Sequence, residues 1–156
     1  MNDARISLEG NGVRYGLLTA LCMVIYFIVA ALLGLADRIE FSFLNFAIMI
    51  VGICLSIHHF KQSRNDRMPY LQGFGTGIVT AIVSSLAFGF FFIIFSLLRP
   101  DVMDQIHAQD FFGFELSVTI AFLALLLQGA MAGVIISLIA MQYFKSPDHK
   151  PMEGVE

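Results

Sequence analysis

Residues 72–98 read QGFGTGIVTAIVSSLAFGFFFIIFSLL, with no charged side chain. The run exceeds the ~20 helical residues that cross a hydrocarbon core of ~30 Å. Small residues recur at every fourth position, Gly73, Gly77, Ala81, Ser85 and Gly89, and a second row holds Thr76, Thr80 and Ser84. Residues four apart share one helix face. Helices in lipid gain little from bringing apolar surfaces together, whereas small residues let their backbones approach closely. This stretch therefore reads as a transmembrane helix with a flat face against which other spans pack.

The rest of the chain agrees. Of 156 residues, 58% are hydrophobic and only 13% charged, with mean hydropathy +0.80. A soluble domain carries ~25% charged residues, and a chain this short cannot enclose so much apolar surface in one core. The expected fold class is all-α, a single domain of four transmembrane helices spanning about 15–36, 41–60, 71–98 and 116–144, with a disordered tail over 145–156. Gly10, Asn11 and Gly12 argue against helix before Tyr15, since glycine is a poor helix former. The first apolar run is too long for a secretory signal. The fourth span carries its own small strip, Gly129, Gly133 and Ser137, the natural partner of the strip on the third.

Basic residues set the expected orientation. Arg5, Arg14, Lys61, Arg64, Arg67, Lys145 and Lys150 lie at the termini and in the middle loop; only Arg38 and Arg99 lie in the other two. The positive-inside rule places both termini in the cytoplasm. A net charge of −3 gives no nucleic-acid footprint. Cys22 and Cys54 sit inside apolar runs and form no metal or redox motif.

Several residues resemble a known family. Arg14-Tyr15-Gly16-Leu17-Leu18 opens the first span; Tyr70-Leu71-Gln72-Gly73-Phe74-Gly75-Thr76-Gly77 opens the third; Arg99-Pro100-Asp101 follows it. Together they resemble the bacterial four-span membrane proteins grouped as domain of unknown function 4199. Gly75 stands where that family often has a basic residue, and Arg99 where it often has an acid. The resemblance implies a multi-pass protein of the bacterial cytoplasmic membrane. It implies no activity, and it singles out Tyr70, Gln72, Gly73, Phe74 and Gly77 as residues to test.

Chemistry is sparse. None of the four apolar runs contains Asp, Glu, Lys or Arg, which argues against a proton relay, since pumps need ionisable groups within the membrane. No nucleophile elbow, phosphate loop or HExxH motif occurs. Asn45 and Gln128 are expected as buried amides bonding between helices. Asp101, Asp104 and His107 share a three-residue spacing and read as a solvated face. No catalytic residue, metal site or cofactor is expected. The expected partners are membrane lipids and a membrane protein or second copy. The leading functional expectation is a non-catalytic scaffold or accessory subunit acting through helix–helix contacts. An oligomeric channel or carrier lined by Asn45, Thr80, Ser84 and Gln128 is the alternative, and a lipid-modifying enzyme using Asp104 and His107 is weaker still.

Overall fold

The computed structural model describes residues 7–35, 39–64, 68–98 and 118–144. They form four α-helices: α1 Leu8–Leu32, α2 Ile39–Gln62, α3 Tyr70–Leu98 and α4 Val118–Phe144. All four are long and apolar enough to cross a membrane. The tail, and the segment with Asp101, Asp104 and His107, lie outside the described residues. We call the end holding Leu8, Gln62, Tyr70 and Phe144 proximal, and the opposite end distal.

Helix α1 begins at Leu8 rather than near Tyr15 and includes the glycines expected to prevent it. Ser7 caps it, its Oγ accepting from the Gly10 N–H at 3.0 Å, and Glu9 in the first turn favours the positive helix end. The larger reason is packing. A Cβ on Gly12 would meet Val79 Cγ1 at 2.7 Å, and one on Gly16 would meet Val83 Cβ at 2.7 Å and the Thr80 carbonyl at 3.0 Å. Close approach to α3 thus requires glycine at both places, and this contact outweighs a propensity cost of ~1 kcal/mol per glycine. Gly34, at φ 67°, ends α1 in the left-handed conformation, with Leu35 N–H bonding the Ala30 carbonyl at 2.9 Å.

Helix α3 touches all three others. It runs parallel to α1, as the Gly12–Val79 and Gly16–Val83 contacts show, and antiparallel to α4. Along α3, side chains added at Gly73, Gly77 and Gly89 would run into Met141, Ser137 and Phe122. Between them, Gly133 faces Ala81 and Gly129 faces Ser85 across the same interface. Each step of four down one strip meets a step of four up the other, so the α3–α4 register is set by where bulk is missing. Among the described residues, α1 and α4 flank α3 with little mutual contact, and α2 lies across both. Ile53, Ile57 and Phe60 of α2 are completely buried.

The outer surface carries large apolar side chains, among them Leu21 and Ile25 on α1 and Leu127 and Ile139 on α4. Bulk outside and small residues inside is the arrangement expected where lipid, not water, surrounds the bundle. At 29 residues, α3 extends ~43 Å at helical rise, more than the ~30 Å hydrocarbon core, so it tilts or projects.

Candidate intramembrane binding site

The two ends of the bundle differ. The proximal half is closed by a hydrogen-bonded polar cluster, whereas the distal half opens into a cavity.

At the proximal end Asn11, 2% exposed, reaches from α1 to α2. Its Nδ2 donates to the Ser56 carbonyl at 2.9 Å and approaches Ser56 Oγ at 3.3 Å. A backbone carbonyl only accepts, so the amide orientation is fixed and Oδ1 faces His59. His59 Nδ1 lies 3.0 Å from that Oδ1 and must therefore carry the proton. Thr80 Oγ1 is 2.8 Å from both Ser56 Oγ and the Thr76 carbonyl. With one proton on each hydroxyl, Ser56 donates to Thr80, Thr80 to Thr76, and Thr76 to the Gln72 carbonyl at 2.9 Å. The Tyr15 ring packs beside His59 at 5.3 Å. Every donor in this series has an acceptor, so the cluster ties α1, α2 and α3 together. Asn11 escapes a sequence reading because it stands in a polar leader. The usable signal is its position beside the Gly12, Gly16 and Ala20 strip.

The family-motif residues lie at the same end. Tyr70 is exposed and stacks on Phe74, with ring centroids 6.4 Å apart. Gln72 keeps a buried Oε1 without a partner among the described residues. Gly73 receives Met141 and Met68, and Gly77 receives Ser137 and Ile57. The two glycines are packing positions.

The distal cavity measures about 400 Å³. Met23 and Phe27 come from α1, Asn45, Phe46 and Met49 from α2, Ser85, Phe88 and Phe92 from α3, and Ala124, Gln128 and Gly129 from α4. Helices α2 and α4 meet at the proximal end, where His58 packs on Phe144 at 5.6 Å, and toward the distal end the cavity lies between them. Phe27 props the wall, its ring edge-on to Phe88, Phe91, Phe92 and Phe95 at 5.1–6.0 Å. A second, shallow cleft on the outer surface shares Phe46, Ala124 and Gln128 with the cavity. The cavity therefore opens sideways, toward lipid.

The two amides expected to be buried fare differently. Asn45 is half-buried, and its buried Oδ1 has no hydrogen-bond partner among the described residues. Gln128 is exposed, a correction to the expectation of a buried amide. Its row on α4 is turned toward the α2–α4 opening because the neighbouring Gly129 row is committed to α3. Leaving a buried acceptor unpaired costs about 1–3 kcal/mol, so the Asn45 site is one that a ligand would stabilise. Thr80 and Ser84 do not line this space. Ser84 Oγ donates to the Ala81 carbonyl at 3.0 Å, and Thr80 Oγ1 is engaged with Ser56 and the Thr76 carbonyl. The described residues contain no group of three or more His, Cys, Asp or Glu able to hold a metal ion.

Fold and site together define a multi-pass membrane bundle with a laterally open cavity that has no charged side chain among its described lining residues. Residues 14–146 match the family described as protein of unknown function (DUF4199), and the chain belongs to that family. No curated protein and no solved structure matches the chain significantly.

Proposed function

We propose that this protein is a non-catalytic accessory or scaffold component of the bacterial cytoplasmic membrane. In this reading its termini and proximal end face the cytoplasm, as the basic residues favour, and it engages a partner membrane helix along the α2–α4 face. One observation carries the reading: Gln128 presents its amide on the outside of α4, partway along a helix that otherwise offers hydrocarbon-compatible side chains such as Leu127 and Met131. Hydrocarbon cannot hydrogen-bond an amide, but a polar residue on a neighbouring helix can. The small-residue strips are already consumed inside the chain, so they leave no close-approach surface for an outside helix. That makes the amide the anchor on offer.

The channel alternative has less support, because Thr80 and Ser84 bond to carbonyls of their own helix and do not share the cavity that Asn45 and Gln128 line. A carrier would have to pass its cargo between copies.

The test is affinity capture of tagged protein at native expression level, with light scattering on the eluate and site-directed crosslinking in membranes. With Cys22→Ala and Cys54→Ala as background, Met131→Cys is expected to crosslink to the captured partner and Ile25→Cys on α1 is not. Gln128→Leu is expected to lose most of the capture. Monomeric protein in every mild detergent, with no crosslink from Met131→Cys, would overturn the proposal.

A further inference from the structure

We infer that the distal cavity holds one uncharged, hydroxyl-bearing lipid that enters sideways from the bilayer between α2 and α4. This goes beyond the accessory reading, because the lipid sits behind the face a partner helix would use.

Size comes first. The cavity's volume of about 400 Å³ falls within the ~300–1,000 Å³ of small-molecule sites. A helix is ~10–12 Å across and cannot enter a space already bounded by four others. The route of entry follows from the shared mouth. Phe46, Ala124 and Gln128 border both the cavity and the outer cleft, whose other walls include Leu127, Met131 and Ile135. Those three side chains are exposed, so the mouth faces hydrocarbon and the ligand must be soluble there.

Chemistry then narrows the class. Met23, Phe27, Phe46, Met49 and Phe88 suit an alkyl or isoprenoid chain. The polar lining is Asn45, Ser85 and Gln128, with no charge among the described lining residues. Among the described lining residues a phosphate headgroup finds no cation and an amine no anion, and burying either unpaired is prohibitive. Asn45 Oδ1 is an acceptor that meets no donor among the described residues. The headgroup that completes it is a donor without charge, a hydroxyl, and the amide N–H groups and Ser85 can in turn donate to its oxygen. The class is therefore that of long-chain alcohols, isoprenoid alcohols and monoacylglycerols.

The experiment uses the intact protein in phosphatidylcholine nanodiscs, photolabelled with a diazirine-bearing hexadecanol, and maps adducts by mass spectrometry. Adducts are expected on the peptides spanning residues 45–49 and 121–129. Unlabelled monoacylglycerol should compete with them and phosphatidylglycerol should not. Asn45→Leu is expected to lower labelling roughly three- to tenfold, the loss of one hydrogen bond. Ala124→Phe, at the mouth, should abolish it. Leu138→Phe, on the outer face of α4 and away from the cavity, should keep it, and unfolding midpoints establish that each variant is folded. Adducts spread over outer positions such as Ile25 and Ile139, or equal competition by phosphatidylglycerol, would overturn the inference. Partner capture by Asn45→Leu separates the two proposals: retained capture with lost labelling leaves the accessory reading intact.

Discussion

Replacing Gly133 with alanine puts the α3–α4 register to a direct test. The added methyl would fall against the Ala81 Cβ, closer than two carbons can approach. To restore a normal contact of ~3.5–4.0 Å, the helices must part by roughly 1–2 Å. Neither partner can yield, since Ala81 has no rotatable side chain and is completely buried. Parting the helices also loosens the contacts of Gly77 with Ser137 and Gly129 with Ser85, which lie one turn to either side. Overpacking of this kind costs about 1–3 kcal/mol, against which alanine regains ~1 kcal/mol of helix propensity. Because neither side yields, the cost falls in the upper part of that range, roughly 2–3 kcal/mol, and the expected net loss is about 1–2 kcal/mol. Gly75→Ala is the matched control. Its Cβ would meet only Leu8 Cδ1 at 3.2 Å, the far end of a flexible side chain, so the propensity gain should prevail and stability should hold or rise. Denaturant unfolding of the purified protein in mild detergent measures both. If Gly133→Ala proves as stable as wild type, or Gly75→Ala equally damaging, the register is wrong.

Three further outcomes follow from the same geometry. Asn11→Leu removes the bonds from α1 to Ser56, leaves the His59 Nδ1–H without its acceptor, and should cost about 1–3 kcal/mol in the same unfolding assay; no measurable change would show that the cluster does not tie α1 to α2. Gly16→Leu drives a side chain into Val83 and the α3 backbone. It should lower the unfolding midpoint more than Leu17→Ala, whose side chain is 53% exposed on the outer face. Gln128→Leu removes an amide from the lipid-facing surface and should leave the midpoint at or above the wild-type value; a clear drop would mean that Gln128 bonds within its own chain.

Much of the architecture could be read directly. The third and fourth runs each show a four-residue small strip, and a strip of that kind has one physical use in lipid, close packing against another backbone. The opposed pairs Gly77–Ser137 and Ala81–Gly133 follow once the two strips are set antiparallel. The start of α1 was not legible. Gly10, Asn11 and Gly12 carry local signals against helix, and those signals are outweighed by contacts with Val79 and Thr76, far away in sequence. Gln128 and Asn45 illustrate the same limit at the site. Both are lone amides in apolar runs, and composition cannot say which way each faces. Asn45 ends with its Oδ1 buried at the cavity and Gln128 exposed at its mouth, because the rotation of α4 is set by Gly129 and Gly133 meeting α3.

By itself the sequence determined that this chain is a four-helix membrane protein of its family, with α3 at the centre and no Asp, Glu, Lys or Arg in its apolar runs, because length, hydropathy and the spacing of small residues are local properties. Only the tertiary structure decided that α1 runs beside α3 rather than merely following the chain to α2. It also decided that Asn11, Ser56, His59 and Thr80 converge at one end and that α2 and α4 separate at the other to leave a cavity. These are consequences of how four surfaces fit at once, and the gap between α2 and α4 is what remains when every small-residue strip has found its partner.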